Sequence, residues 1–224
     1  MKIRQIEPTD YAVLKDFLYH AIFVPTGAAP LPRDVIEKPE IAIYINGFNS
    51  SGKEAIKGDC GVVAVLDGKI VGVAWTRIIP AFGHIDDETP ELAISVFPEY
   101  RKQGIGTDLL KKLFELLAEK GYKQTSLSVQ KDNPALHLYE RLGYKTVREN
   151  GEDFIMLRDL KQEVQAFGMA LGMCFGLMFG AVIGTVTDDT STWLPIGMCL
   201  GVAIGGCSRW WSMVGKRKEN SMAK

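Results

Sequence analysis

From Val96 to Thr107 the chain reads Val-Phe-Pro-Glu-Tyr-Arg-Lys-Gln-Gly-Ile-Gly-Thr, a glycine-bearing turn that runs straight into an amphipathic segment. At the start of a helix, such a turn leaves several backbone N–H groups without intrahelical acceptors at the positive end of the helix dipole. A phosphate or pyrophosphate fits there. Gly104 and Gly106 let a ligand approach the backbone closely, and Arg101 and Lys102 add positive charge beside it. Two commoner phosphate motifs are excluded. A dinucleotide fingerprint wants glycine or alanine three residues after Gly106, where Leu109 stands. A Walker loop wants Gly-Lys-Ser/Thr, which does not follow. A plain turn into a helix would use the same glycines.

Candidate proton carriers are few. Glu91 opens an expected strand and shares its alternation face with Ala93 and Ser95. Its carboxylate would suit a general base, although a solvated strand-end glutamate is the plainer reading. His84 titrates in a useful range but stands alone in a turn. Asp86-Asp87-Glu88 would attract a cationic group, although a solvated turn is the plainer reading. The four cysteines, Cys60, Cys174, Cys199 and Cys207, have no metal-ligand spacing and read as small buried apolar residues, so no metal is expected.

Short elements must position these groups. Lys2–Ile6 reads as a strand, and Pro8-Thr9-Asp10 opens a helix with Val13, Leu14, Phe17, Leu18, Ala21 and Ile22 at helical spacing. The proline-rich loop 24–33 breaks it. A second short helix is expected over 39–45, and strands over 61–66 and 69–79 join through Asp67-Gly68. A strand over 92–97, a strong amphipathic helix over 104–120, a strand over 123–129 and a helix over 133–142 follow. Strands over 144–148 and 153–157 close an α/β domain built on one central sheet.

The 224 residues are 46% apolar and 24% charged with a net charge of −1, which excludes disordered, collagenous and disulfide-scaffold chains. No basic excess supports a nucleic-acid partner. The average hides two polymers. Residues 1–163 hold 21 basic and 24 acidic side chains, whereas the rest hold five and three. Met1–Glu7 lacks the apolar core of a signal peptide, so the front domain is expected to be cytoplasmic.

The tail reads as a membrane hairpin. Ala166–Val186 is 21 residues without a charge, enough for a helix of about 30 Å, the thickness of a bilayer core. A polar turn, Thr187–Thr192, precedes a second apolar run that Trp193, Arg209, Trp210 and Trp211 would complete at the interfaces, giving spans over 166–186 and 193–211. Glycine recurs every fourth residue at 168, 172, 176, 180 and 184, and again at 197, 201 and 205, a strip for close helix approach within the hairpin or between chains. Arg158, Lys161, Arg209 and Lys216–Lys218 flank the outer ends while the turn holds only acids, which places both ends in the cytoplasm. A buried soluble helical hairpin is the competing reading. The expected domains are therefore 1–160 and 161–224.

Arg101-x-x-Gly104-x-Gly106, after a strand ending in Val96-Phe97-Pro98-Glu99-Tyr100, resembles the acetyl-CoA-binding motif of the GNAT superfamily of N-acetyltransferases. Asn133-Pro134-Ala135-x-x-Leu138-Tyr139-Glu140-x-Leu142-Gly143-Tyr144 is similar to that family's second signature. The resemblance covers about Lys2 to Leu160 and leaves the tail outside. It implies a mixed, mostly antiparallel central sheet flanked by helices, to which the tail would add a two-helix transmembrane hairpin. It also implies acetyl-CoA as co-substrate and a small-molecule or peptide amine as acceptor.

By the same resemblance, backbone amides of Gln103, Gly104, Ile105, Gly106 and Thr107 would hold the pyrophosphate, with Arg101 and Lys102 alongside. The strand at Ser95, Val96 and Phe97 would pair with the pantetheine arm, and the Val96 N–H would polarise the thioester carbonyl. Asn133 would hydrogen-bond the arm. Tyr139 would protonate the departing sulfur, although its spacing alone reads as a core tyrosine. Two other functions fit the same residues: a non-catalytic acyl-CoA-binding module that regulates a membrane partner, and an oligomerising hairpin regulated by the domain.

Overall fold

The computed structural model describes residues 1–25, 27–49 and 57–206, the side chains of 161–171 and 204–206 excepted. The chain divides into two compact units, Met1–Leu160 and a second that begins at Lys161.

The first unit contains β1 (Lys2–Gln5), α1 (Leu14–Ala21), α2 (Pro39–Ala42), β2 (Cys60–Leu66), β3 (Lys69–Arg77), β4 (Glu91–Val96), α3 (Ile105–Glu119), β5 (Gln124–Gln130), α4 (Leu136–Arg141), β6 (Lys145–Asn150) and β7 (Asp153–Asp159). Its seven strands form one sheet in the order β1-β2-β3-β4-β5-β7-β6. All neighbours are antiparallel except β4 and β5. That parallel pair has one registered contact, Glu91 opposite Ser126, and no pair continues from there toward Val96. The sheet is therefore open between the C-terminal halves of its two middle strands.

Sequence chemistry explains most of these elements. Asp67 and Gly68 take φ of 49° and 79°, the mirror-image turn that matches strand twist in a two-residue hairpin. β2 and β3 are apolar on both faces because both faces are covered. On one face Leu109, Leu110, Leu113 and Leu117 of α3 pack on Val62, Ala64, Ala74 and Leu92. On the other, Leu14, Phe17 and Leu18 of α1 pack on Val63, Val73 and Trp75. The helix expected from Pro8 is in fact a 3-10 turn over Pro8–Val13 that passes into α1 at Leu14. Asp10 accepts the Glu7 N–H at 2.8 Å and an Arg4 guanidinium N–H at 2.6 Å, which tightens that first turn. The same Arg4 hydrogen bond holds the Asp10 carboxyl below the ordinary aspartate range.

The second unit is a helical hairpin, α5 (Lys161–Val186) and α6 (Thr190–Gly206). The polar turn is shorter than expected. Asp188 takes the left-handed φ of 53°, and the Asp189 N–H bonds back to the Gly184 carbonyl at 3.0 Å, closing α5. The Asp189 carboxylate then accepts the Thr192 N–H at 3.2 Å, so Thr190–Thr192 become the first turn of α6. The glycines bring the backbones together: a Cβ on Gly176 would lie 2.9 Å from the Cα of Gly201, and one on Gly197 would lie 2.8 Å from the Cα of Gly180.

Among the described residues no helix is long and apolar enough to cross a membrane; α6 has 17 residues, and the described side chains of α5 begin at Gly172. The two spans expected over 166–186 and 193–211 are thus not found as such. Arg209, Trp210, Trp211, Cys207 and Lys216–Lys218 lie outside the described residues.

Candidate active site

The phosphate-type turn is built as its residues suggest. After a short 3-10 turn at Pro98–Tyr100, Lys102 and Gly104 take positive φ of 61° and 84°, and α3 begins at Ile105. No described side chain caps this helix, and its first intrahelical bond runs from the Asp108 N–H to the Gly104 carbonyl at 3.1 Å. The N–H groups of Ile105, Gly106 and Thr107 therefore have no acceptor within the helix. A Cβ added at Gly104 would meet nothing within 4 Å among the described residues, so the space above the turn is clear. Gly106 faces inward, where a Cβ would stand 3.6 Å from Leu138. Lys102 and Gln103 are exposed, and the Gln103 side-chain amide donates to the Glu99 carbonyl at 3.2 Å.

Arg101 is more constrained than a charge lent to a ligand. Its Nε donates to the Val96 carbonyl at 2.9 Å and a second guanidinium nitrogen to the His20 carbonyl at 3.4 Å. The side chain fastens the turn to the end of β4 and to α1.

β4 turns a free edge to the opening. The Phe97 N–H bonds to the Val71 carbonyl at 3.0 Å, and Val96 stands opposite Gly72. In an antiparallel ladder this makes Val96 and Gly72 a non-hydrogen-bonded pair, so the N–H and carbonyl of Val96 point away from β3. The carbonyl takes Arg101, and the N–H faces the gap before β5. Ile94 and Val96 pack on the α3 face, whereas Ala93 and Phe97 pack on the α1 face, the Phe97 ring centroid 4.4 Å from that of Phe17. Ser95 shares the α1 face by alternation; it is buried, with no hydrogen-bond partner for its hydroxyl among the described residues.

Asn133 stands three residues before α4. Its side-chain oxygen accepts the Ala135 N–H and its backbone oxygen the Leu136 N–H, both at 2.9 Å. This local turn is why α4 starts at Leu136 rather than at Asn133. Tyr139 is 9% exposed and packs in the cluster of Leu127, Val129 and Tyr144. Burial pushes its phenol up to about 12, so it remains a proton donor throughout the neutral range.

Glu91 is not the solvated strand-end carboxylate of the plainer reading. It is 2% exposed on the opposite face of the sheet. The Tyr44 hydroxyl and the Gly83 N–H, the latter at 2.8 Å, both donate to Oε1, and Oε2 has no partner among the described residues. Burial raises the carboxyl above the ordinary glutamate range, against the pull of these two hydrogen bonds. Gly83 sits where only glycine fits, since a Cβ would lie 2.7 Å from the Leu127 carbonyl carbon and 2.8 Å from the Ser128 nitrogen.

The candidate acid and base thus lie on opposite faces of one sheet, beside its single opening. Asp86 accepts the Glu88 N–H at 2.9 Å, which makes the acidic run an exposed local turn. No cluster of three His, Cys, Asp or Glu among the described residues is placed to hold a metal. Tyr44 and Gly83 were not among the residues singled out by sequence.

The match to the acetyltransferase (GNAT) family model covers residues 34–144, and the model described as glycine zipper membrane protein matches residues 161–207. An N-alpha-acetyltransferase of Sulfurisphaera tokodaii is 33% identical over 113 residues, 42% of this chain and 65% of that protein. One from Saccharolobus solfataricus is 33% identical over 117 residues, 44% of this chain and 68% of that protein. The chain thus spans about two thirds of the length of these relatives. The crystal structure of the PaiA N-acetyltransferase from Thermoplasma acidophilum in complex with coenzyme A covers 70% of this chain and 98% of its own at 22% identity, with a TM-score of 0.54, and shares the fold. On the relatives' identity and coverage, and with the open β4–β5 seam leading to the uncapped start of α3, the chain belongs to the GNAT family of acetyltransferases.

Proposed function

We propose that this chain transfers an acetyl group from acetyl-CoA to the α-amino group of a peptide or amino acid. The observation that carries the reading is the open seam itself: the Val96 N–H faces a gap that leads to the bare N-terminus of α3. The α-amino class of acceptor is supported by the N-alpha-acetyltransferases among the relatives. The residues present fit the co-substrate. Amides of Gln103–Thr107 would hold its pyrophosphate in the clear space above Gly104, and the Asn133 side chain would reach its arm. Bound there, acetyl-CoA supplies a thioester acyl group.

The chain's own residues do the rest. Glu91 takes the proton of the incoming ammonium, because a protonated amine has no lone pair with which to attack. The Val96 N–H donates to the carbonyl oxygen and favours the negative charge that develops there. The amine nitrogen bonds to the acyl carbon as the C–S bond breaks, and Tyr139 gives its proton to the departing sulfur from the other face. The second proton shed by the nitrogen restores the phenol through water.

The second unit is read as the membrane attachment, a glycine-packed helical hairpin with both ends in the cytoplasm. This is supported by the glycine-zipper family match and by large apolar side chains left exposed, such as Phe179 at 68% and Val182 at 62%. The enzymatic reading is tested by release of free CoA from acetyl-CoA with a panel of N-terminally free peptides, amino acids and polyamines. Peptides or amino acids should support turnover, and Gly104→Val should abolish acetyl-CoA binding while circular dichroism shows the fold intact. Valine is strained at φ of 84° and fills the space above the turn. A folded variant with unchanged affinity would remove the co-substrate from this turn. Tight binding with no turnover on any amine would favour the non-catalytic regulatory module.

A further inference from the structure

We propose that Tyr44 is a positioning residue for the transfer reaction: its hydroxyl, aimed from a backbone pinned by buried donors, holds one oxygen of Glu91 and so fixes the carboxyl that takes the amine proton. The proposal rests on the reading above that Glu91 takes the amine proton.

Tyr44 lies in the turn that follows α2, a short and locally weak element, yet its backbone is fastened on every side. The Trp75 indole donates to the Tyr44 carbonyl at 3.0 Å, and Trp75 is 0% exposed. The Arg77 guanidinium donates to the Ile43 carbonyl at 2.9 Å and to the Asn46 carbonyl at 2.6 Å, bracketing Tyr44. Arg77 is held in turn by Asp59, at 2.9 and 3.1 Å. Both donors come from β3, which pairs directly with β4, so the turn is referenced to the strand that carries Glu91. A tyrosine serving only as filler would need no such registration.

The carboxyl is held at two points. Oε1 accepts from Tyr44 and from Gly83, so rotation that exchanged the two oxygens would break both bonds. Oε2 is buried and has no partner among the described residues, so the two bonds to Oε1 alone set the orientation of the carboxyl.

The charged and titratable groups around Glu91 are Tyr44 from the turn after α2, Arg77 from β3, already neutralised by Asp59, and His84 from the loop before β4; Asp153 of β7 acts on Tyr44, and β5 offers the hydroxyl of Ser126 opposite. Burial keeps the Tyr44 phenol protonated at every working pH, so it always donates. Donation favours the charged carboxylate. Without it burial acts less opposed, and Glu91 should hold its proton to higher pH.

The full chain is tested as wild type, Tyr44→Phe, and with 3-fluorotyrosine at position 44, a stronger donor that keeps the ring. Glu91 is titrated by infrared difference spectroscopy of its carboxyl, assigned by its loss in Glu91→Gln. The acidic limb of kcat/KM is followed with an N-terminally free alanine peptide. In Tyr44→Phe the infrared midpoint and the acidic limb should both rise by about one pH unit, the worth of one charge-assisted hydrogen bond, with acetyl-CoA affinity unchanged. Fluorotyrosine should move both the other way, which covers the case in which the phenylalanine variant does not fold. A midpoint that moves with neither substitution overturns the role of Tyr44, even if Glu91→Gln is inactive. Wild-type turnover in Glu91→Gln overturns instead the reading of Glu91 as the base, and the positioning role falls with it.

Discussion

Tyr139 would donate from a phenol that burial has made a weaker acid than free tyrosine, held at about 12 within the Leu127, Val129 and Tyr144 cluster. The phenol therefore keeps its proton throughout the neutral range, until the sulfur departs beside it. Tyr139→Phe should lower kcat by about 100-fold and leave the KM for acetyl-CoA nearly unchanged, because the ring keeps its packing. Steady-state rates across acetyl-CoA concentrations check this, and wild-type turnover would make Tyr139 a core residue only. At this scale the residues near in sequence were the readable ones. Arg101, Gly104 and Gly106 stand within one turn, and their spacing predicts that turn. Even there the sequence did not show that the Arg101 guanidinium fastens Val96 and His20. Tyr44 was unreadable for a plain reason: its partner is 47 positions away, and the turn that carries it has no periodic pattern.

Among the elements, the hairpin of α5 and α6 depends most directly on a single residue type. Its helices meet backbone to backbone, so any side chain at the crossing must push them apart. Gly176→Leu or Gly201→Leu should therefore widen the hairpin. Spin labels on the exposed Cys174 and Cys199, in a chain whose Cys207 is replaced by serine, should report a longer and broader distance distribution in either variant. An unchanged distribution would mean that the glycine strip is not the contact. The period-four glycines announced this crossing, whereas the start of α6 was hidden because one carboxylate, Asp189, decides it. The start of α4 was likewise decided by the side chain of Asn133 rather than by hydrophobic period.

For the whole molecule, two compact units imply that one can be removed without the other failing. Truncation after Leu160 should give a soluble protein that binds acetyl-CoA as the full chain does, while the full chain should stay with membranes through a high-salt, alkaline wash. Fractionation and calorimetry check both, and a full chain that washes off would favour the soluble hairpin. The element order was readable because hydrophobic period is local, but the order of strands was not. β7 inserts between β5 and β6, and only the assembled core selects that pairing. The two outer strands bear on how such molecules behave when crowded. β6 is exposed along its whole length, carries Lys145, Arg148 and Glu149, and its pairing slips between Thr146 and Arg148, where Val147 bulges. β1 at the far side begins with the exposed Lys2 and carries Arg4. Open strand edges invite other chains to add to them and seed aggregates; charge and a bulge deny them the flat, apolar rim they need. Molecules confined to a two-dimensional surface, as proposed for this one, collide often and side by side. The charged rims let them do so without polymerising.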